Sequence, residues 1–298
     1  MNTTTISKTK NYSDNQALEP ILGMTFGCDP EIFVRDDKGR LCFPEFIPGT
    51  KEAPEKVDGG AIQRDGMAAE INIDPATSFV EFRDNIHKVV GEVEKLLPKG
   101  YSLSCEGSVV FPEDVWDKAP EEAKELGCSP DYNAWEMTMN TPPDGEAIPR
   151  MRTAAGHLHF GWDEGLDVLD VNHVNDCCEL VKQLDWYVGS YTSRIDPDKR
   201  RASLYGKAGA CRIKPYGVEY RVPSNFWLTD ESHMLEMWNR IQRGIASMRN
   251  HYLPDMPAVK KVRRGAKYSF NDRLIKSINT GTMDSVLAEQ FSSPILFC

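Results

Sequence analysis

The 298-residue chain is 40% hydrophobic, enough to bury a core, which excludes wholesale disorder. Its 45 acidic residues outnumber 35 basic ones, for a net charge of -10. That balance argues against a protein built to neutralise nucleic-acid phosphates and favours a cation or a cationic substrate. The opening stretch MNTTTISKTKNYSDNQ has no apolar signal-peptide core, and no apolar run reaches membrane-spanning length. The sequence therefore predicts a soluble, cytoplasmic protein with no membrane partner. Eight cysteines (Cys28, Cys42, Cys105, Cys128, Cys177, Cys178, Cys211 and Cys298) occur without a CxxC pair. Reduced thiols are expected rather than a disulfide framework or a cysteine-based zinc site.

Residues 1–20, rich in Thr, Ser and Asn, read as a disordered or loosely docked arm. Residues 21–298 read as one domain, helical from about 229 onward. Within it, Phe26 to Val34 has strand character, a loop follows at Pro44, Pro48 and Pro54, and Met67 to Ile73 is a second strand. Ser78 with Glu81 three residues later forms a capping-box pattern. From there Phe79, Phe82, Ile86, Val89, Val90 and Val93 keep helical spacing up to Pro98. A second amphipathic run covers about Val168 to Tyr187, and a third starts near Thr229 with Met234, Met237, Trp238, Ile241, Ile245 and Met248. Tyr101 to Phe111, Ala154 to Trp162 and Gly209 to Val222 read as strands, some arranged as hairpins. The fold class that follows is α+β, a mostly antiparallel sheet covered on its apolar face by helices.

Alternate residues of a strand share a face. By parity Asp29 and Glu31 lie together, as do Glu70, Asn72 and Asp74. So do His157 and His159, Arg212 and Lys214, and Glu219 and Arg221. A half-exposed sheet alternates in the same way, so parity alone shows only one wet face. The composition of that face says more: acids, imidazoles and arginines with few of the Thr, Ser or Gln residues that decorate a solvated sheet. Close carboxylates raise one another's pKa unless cations neutralise them. Mg²⁺ or Mn²⁺ is the simplest remedy, since hard divalent ions take oxygen ligands and Mn²⁺ accepts imidazole too. Arginines on the same face would grip a phosphate or carboxylate.

Single motifs are weaker. His157, His159 and Glu164 have HxHx4E spacing, which allows a metal-dependent cupin-like oxidoreductase or isomerase, but Tyr220 stands where a fourth histidine ligand would be. LYGKAGA lacks the first glycine of a P-loop and ends on Ala208 instead of Ser or Thr. The basic run KKVRRGAK, from Lys260 to Lys267, reads as a solvated loop and makes nucleic acid an unfavoured partner. PILFC at the C-terminus reads as a tail docked in an apolar groove.

Taken in order, GCDPEIFV, DGMAAEINI, RTAAGHLHFGW and RRASLYGKAGACRIKPYGVEYRVPSNFWL resemble the phage carboxylate-amine ligase (amidoligase) family of the glutamine synthetase and γ-glutamylcysteine synthetase-like fold. The resemblance spans about Phe26 to Leu228. It implies an antiparallel sheet curved around ATP and divalent metal, with an amide bond made through an acyl phosphate from a carboxylate-bearing and an amine-bearing substrate. By similarity Asp29, Glu31, Glu70, His157 and Glu219 are metal ligands. His159 faces substrate or the transferred phosphate, and Arg221 stabilises its charge. Arg201, Lys207 and Arg212 hold nucleotide phosphates or an acidic substrate. Asp29 stands where the wider superfamily often has Glu, and Pro30 donates no ladder hydrogen bond, which implies an edge or bulge there. A descendant that binds nucleotide without turnover is the remaining alternative.

Overall fold

A computed structural model describes residues 6, 13–125, 131–140, 149–249 and 270–282. The basic run, PILFC, Cys128 and Cys298 lie outside the described residues.

Strands β1 (Thr25–Cys28), β2 (Glu31–Arg35), β3 (Leu41–Cys42), β4 (Glu55–Val57), β5 (Gly60–Asp65) and β6 (Ala68–Ile73) come first, then helix α1 (Phe79–Leu96). After the short strands β7 (Ser102–Ser104) and β8 (Ser108–Val110) come two short helices, α2 (Glu113–Lys118) and α3 (Glu121–Lys124). Next are β9 (Tyr132–Asn133), β10 (Thr138–Met139), β11 (Met151–Thr153) and β12 (Leu158–Gly161). Helix α4 (Val171–Leu184) runs through a π-helical turn, Asp185–Gly189, into α5 (Ser190–Ile195), and α6 (Arg200–Leu204) leads to β13 (Ala210–Lys214) and β14 (Gly217–Tyr220). Helix α7 (Glu231–Arg249) and a last described helix, Phe270–Thr280, follow.

Every strand pair described is antiparallel, in the α+β arrangement that the alternating pattern predicts. One sheet has the order β1-β12-β14-β13-β9-β10 and another β3-β2-β6-β5-β4, with β8 and β11 forming a separate pair. The expected strand from Phe26 to Val34 is two strands, because Pro30 has no N–H to donate. The chain changes sheets there. Asp29 N donates to His157 O at 3.4 Å and Glu31 N to Ala155 O at 2.9 Å, while Pro30 O accepts from Ile71 N at 3.1 Å. Asp29 and Glu31 therefore flank the seam between the sheets. Gly217 is needed in the β13–β14 hairpin: its φ is +150, and a Cβ would fall 2.0 Å from Phe160 O.

Helix α1 buries Phe79, Phe82, Ile86, Val89, Val90 and Val93, each full burial of this kind contributing about 1.5–3 kcal/mol. Ser78 caps it by accepting from Glu81 N, but the Glu81 carboxylate turns to Thr77 N and Oγ1 instead of closing the expected box. Helix α4 starts three residues later than the periodicity suggests. Asp170 accepts from both Asn172 N and His173 N at 2.9 Å, which sets its first turn. Trp238 of α7 packs on Phe26, Phe79 and Phe82, tying the first sheet to α1. The described end of the N-terminal arm is fastened to α7, with Leu18 N donating to Asn239 Oδ1 and Trp238 Nε1 to Leu18 O.

Candidate active site

The register brings the polar residues into two rows, one per sheet. In the first, Gly27 of β1 faces His159 of β12, His159 faces Glu219 of β14, and Glu219 faces Arg212 of β13. Just beyond the strand ends, His157 and Arg221 continue the same face. Asp29, on the seam, is held between imidazoles, with Oδ1 3.3 Å from His157 Nδ1 and Oδ2 3.1 Å from His159 Nε2. The Glu219 side chain, only 1% exposed, lies 2.9 Å from Lys214 Nζ, 3.3 Å from Arg212 Nη1 and 3.6 Å from His157 Nδ1, and also pairs with Arg221 Nη1. Burial and the charge of Asp29 push the Glu219 carboxyl up. His157, Arg221 and His159 outweigh both and hold it at about 2. Burial likewise opposes ionisation of Asp29, but the neighbouring imidazoles keep it well below the usual carboxylate range. The two imidazoles differ. Burial and the Arg221 charge lower His157, whereas Asp29 overcomes burial and raises His159.

In the second row Glu31 of β2 faces Glu70 of β6, and Glu70 faces Gln63 of β5. Asp65, at the end of β5, brings a third carboxylate, and one ligand oxygen from each of Glu31, Asp65 and Glu70 lies within 4.8 Å of the others. Neutral donors are weak compensation for these charges: Glu31 Oε2 accepts from Ala155 N at 2.9 Å and Glu70 Oε1 from Asn72 Nδ2 at 3.3 Å. Burial, then the charge of Asp65, pushes Glu31 up to about 7. Burial together with Asp29, Glu31 and Asp65 pushes Glu70 well above its ordinary value.

Both clusters fit a hard divalent cation. Asp29, His159 and Glu219 also offer ligand atoms within 4.8 Å of one another. Asp29 Oδ1 and His159 Nε2 are buried and lack an aligned hydrogen bond, although Oδ1 lies 3.3 Å from His157 Nδ1 and Nε2 lies 3.1 Å from Asp29 Oδ2. Oxygen-rich sets with one imidazole suit Mg²⁺ or Mn²⁺. The five residues expected as metal ligands thus divide: Asp29, His157 and Glu219 lie in the first cluster, Glu31 and Glu70 in the second. His159, expected to face substrate or phosphate, sits beside Asp29, and its Nδ1 lies 2.5 Å from the Tyr216 hydroxyl.

Arg221 is 4% exposed and fully engaged: Nε donates to Asp131 Oδ1 at 2.6 Å, Nη1 to Glu219 and Nη2 to the Tyr205 hydroxyl. Arg201, also buried, donates from Nη1 to Val222 O at 2.7 Å and from Nη2 to Arg221 O at 3.5 Å. Its guanidinium is thus turned to backbone carbonyls, although its charge still reaches Glu31. Arg212 lies in the first row, whereas Lys207 is half-buried in the turn before β13 and makes no ion pair among the described residues. Asp65, Asp131, Tyr205 and Tyr216 escaped the sequence reading. Asp65 lay at the end of GAIQRD, where three apolar residues are followed by three polar ones and no period-two alternation marks a polar face. Tyr205 lay inside LYGKAGA, where only a phosphate loop was sought, and Asp131 belongs to no pattern.

A cleft of about 910 Å³ opens onto His159, walled by Ile21, Met24, Phe26, Trp162 and Tyr216 among others. That volume falls within the range of cofactor-sized sites. Glu164, on which a cupin reading depends, sits in an exposed bend at the rim of the cleft and belongs to neither cluster. Among the described residues no helix is long and apolar enough to cross a membrane, and Cys28, Cys42, Cys105, Cys177, Cys178 and Cys211 are free thiols.

Among solved structures the chain is similar to a novel glutamine synthase homolog at 12% identity and TM-score 0.38, over 89% of this chain and 65% of that one. It is also similar to a bifunctional glutathione synthetase from Pasteurella multocida at 12% identity and TM-score 0.40, over 93% of this chain and 47% of that one. The chain thus spans about two thirds and about half of these proteins' lengths. No curated protein matches the sequence. Residues 150–292 match the family described as Phage phiEco32-like COOH.NH2 ligase-type 2. The match includes His157, His159, Arg201, Lys207, Arg212, Glu219 and Arg221 and leaves out Asp29, Glu31 and Glu70. Through residues 150–292 the chain is thus similar to this carboxylate-amine ligase family, the same family that its strand motifs resemble.

Proposed function

We propose that the protein is an ATP- and divalent-metal-dependent carboxylate-amine ligase that works through an acyl phosphate. The observation that carries this reading is the juxtaposition of two anionic clusters across one seam, beside a cleft large enough for a nucleotide. In this reading Asp29, His157 and Glu219 hold one Mg²⁺ or Mn²⁺, joined by His159, and Glu31 and Glu70 hold another together with Asp65. When bound, the cations neutralise phosphate oxygens and the charge that develops during transfer.

The remaining roles belong to the chain's own side chains. The nucleotide occupies the cleft against Trp162 and Tyr216, which directs its triphosphate toward His159, Lys214 and Arg212. A substrate carboxylate oxygen attacks the γ-phosphorus, the bond to the β-phosphate oxygen breaks, and ADP leaves. The amine nitrogen then attacks the acyl carbon, phosphate departs, and the nitrogen loses a proton. Arg221, held rigid by Asp131, Tyr205 and Glu219, stabilises charge on the transferred group without reorganising. Arg201 acts at one remove, by fixing the backbone that carries Arg221. The cleft walls limit water access while the acyl phosphate waits for the amine. The net charge of -10 favours an amine-bearing partner that is cationic.

Purified protein incubated with ATP, Mg²⁺ and pools of amino acids, peptides and polyamines should release ADP only when both an acid and an amine are present. An ¹⁸O-labelled carboxylate should pass one label to phosphate. Failure to bind nucleotide with either metal in calorimetry overturns the reading, and binding without consumption identifies a non-catalytic descendant.

A further inference from the structure

We infer that Tyr205 is a positioning residue that orients His157 and Arg221 together. Its ring lies near two guanidinium groups, 5.2 Å from that of Arg201 and 5.5 Å from that of Arg221 to the ring centroid. Its hydroxyl accepts from Arg221 Nη2 and stands 3.4 Å from His157 Nε2. One oxygen therefore touches both the arginine that pairs with Glu219 and the histidine that lies beside Asp29.

A tyrosine hydroxyl has one hydrogen to donate and two lone pairs to accept with, while arginine only donates. The bond from Arg221 uses one lone pair, leaving a hydrogen and a second lone pair for His157. His157 is 4% exposed, and its Nδ1 lies 3.3 Å from Asp29 Oδ1 and 3.6 Å from Glu219 Oε1. Between two carboxylates Nδ1 carries the proton, and Nε2 then accepts from the Tyr205 hydroxyl. A cation placed among Asp29, His157 and Glu219 needs the Nδ1 lone pair, so the proton belongs on Nε2, which then donates to Tyr205. The hydroxyl serves both tautomers by rotation, and phenylalanine serves neither. Partners of this kind fix the ring and tautomer of a ligating histidine, and their loss commonly weakens metal binding about 10- to 100-fold.

The inference rests on the proposed cation site at His157, and the tests separate the two. The Tyr205→Phe variant keeps the ring beside both arginines. Mn²⁺ titration followed by electron paramagnetic resonance should show binding weakened by about 10-fold or more, as it should for His157→Asn and Glu219→Gln. Wild-type binding by Tyr205→Phe, with loss in the other two, overturns the role of Tyr205. Wild-type binding by all three overturns the cation site and this inference with it. A second readout needs no variant: ¹⁵N signals of His157 in the wild-type protein should show Nδ1–H without metal and Nε2–H with Mg²⁺. The same tautomer in both states overturns the inference.

Discussion

The two clusters use similar residues on adjoining strands, yet their charge balance is opposite. Around Glu219 and Asp29 the protein supplies its own cations, Arg221, Arg212 and Lys214, with two imidazoles. Around Glu31, Asp65 and Glu70 no ion pair is found among the described residues, and Glu31 and Glu70 respond by holding their protons. The first cluster is part of what holds the sheet together. The second is a cost that the metal-free protein carries, and it is where an added cation has most to neutralise.

The largest effect expected from this contrast is at Glu219. Glu219→Gln leaves buried cations without their acid, so the unfolding free energy should fall by about 3–5 kcal/mol in denaturant titration, with ligase activity reduced about 100-fold or more. Glu31→Gln should reduce activity comparably but move stability the other way. Removing a carboxyl that is costly to ionise should stabilise metal-free protein at pH 8 on the order of 1–3 kcal/mol. Equal destabilisation by both substitutions breaks the comparison.

A pH series sharpens it further. Glu31 titrates at about 7, above the ordinary 4.5, so the native state binds the extra proton and metal-free stability should decline as pH rises across that window. The shift in melting temperature caused by Mn²⁺ should grow over the same window, because the cation no longer competes with a proton. Glu219, held near 2 against 4.5, has the opposite sign: its contribution is complete above the ordinary value and is lost as pH falls toward 2. A Mn²⁺ shift that is flat from pH 5 to 8 contradicts the assignment of an uncompensated second cluster. The smallest effect is expected at Glu164, exposed in its bend. Glu164→Gln should change activity less than about twofold, whereas a severe loss revives the cupin alternative.

Much of this site was legible before any coordinates. Period-two alternation placed Glu70, His157, His159, Glu219 and Arg221 on polar faces, and helical spacing located α1 and α7 within a few residues. Asp65 was not found, because the short hairpin β4–β5 is surrounded by Pro, Gly and charged residues that read as loop. Tyr205 and Asp131 reach Arg221 across 16 and 90 residues of chain, and Tyr205 reaches His157 across 48, separations that no local pattern encodes.

What the sequence by itself determined was local: which side of each strand is polar, where Pro30 must interrupt the ladder, and where Ser78 starts a helix. Only the tertiary structure decided that His159 faces Glu219 while Glu31 faces Glu70, and so which charges are neutralised and which are not. Side-chain parity follows from the backbone geometry of a few consecutive residues. The electrostatic balance of a site is set by which distant strands pair and in what register, and that depends on the packing of the whole core.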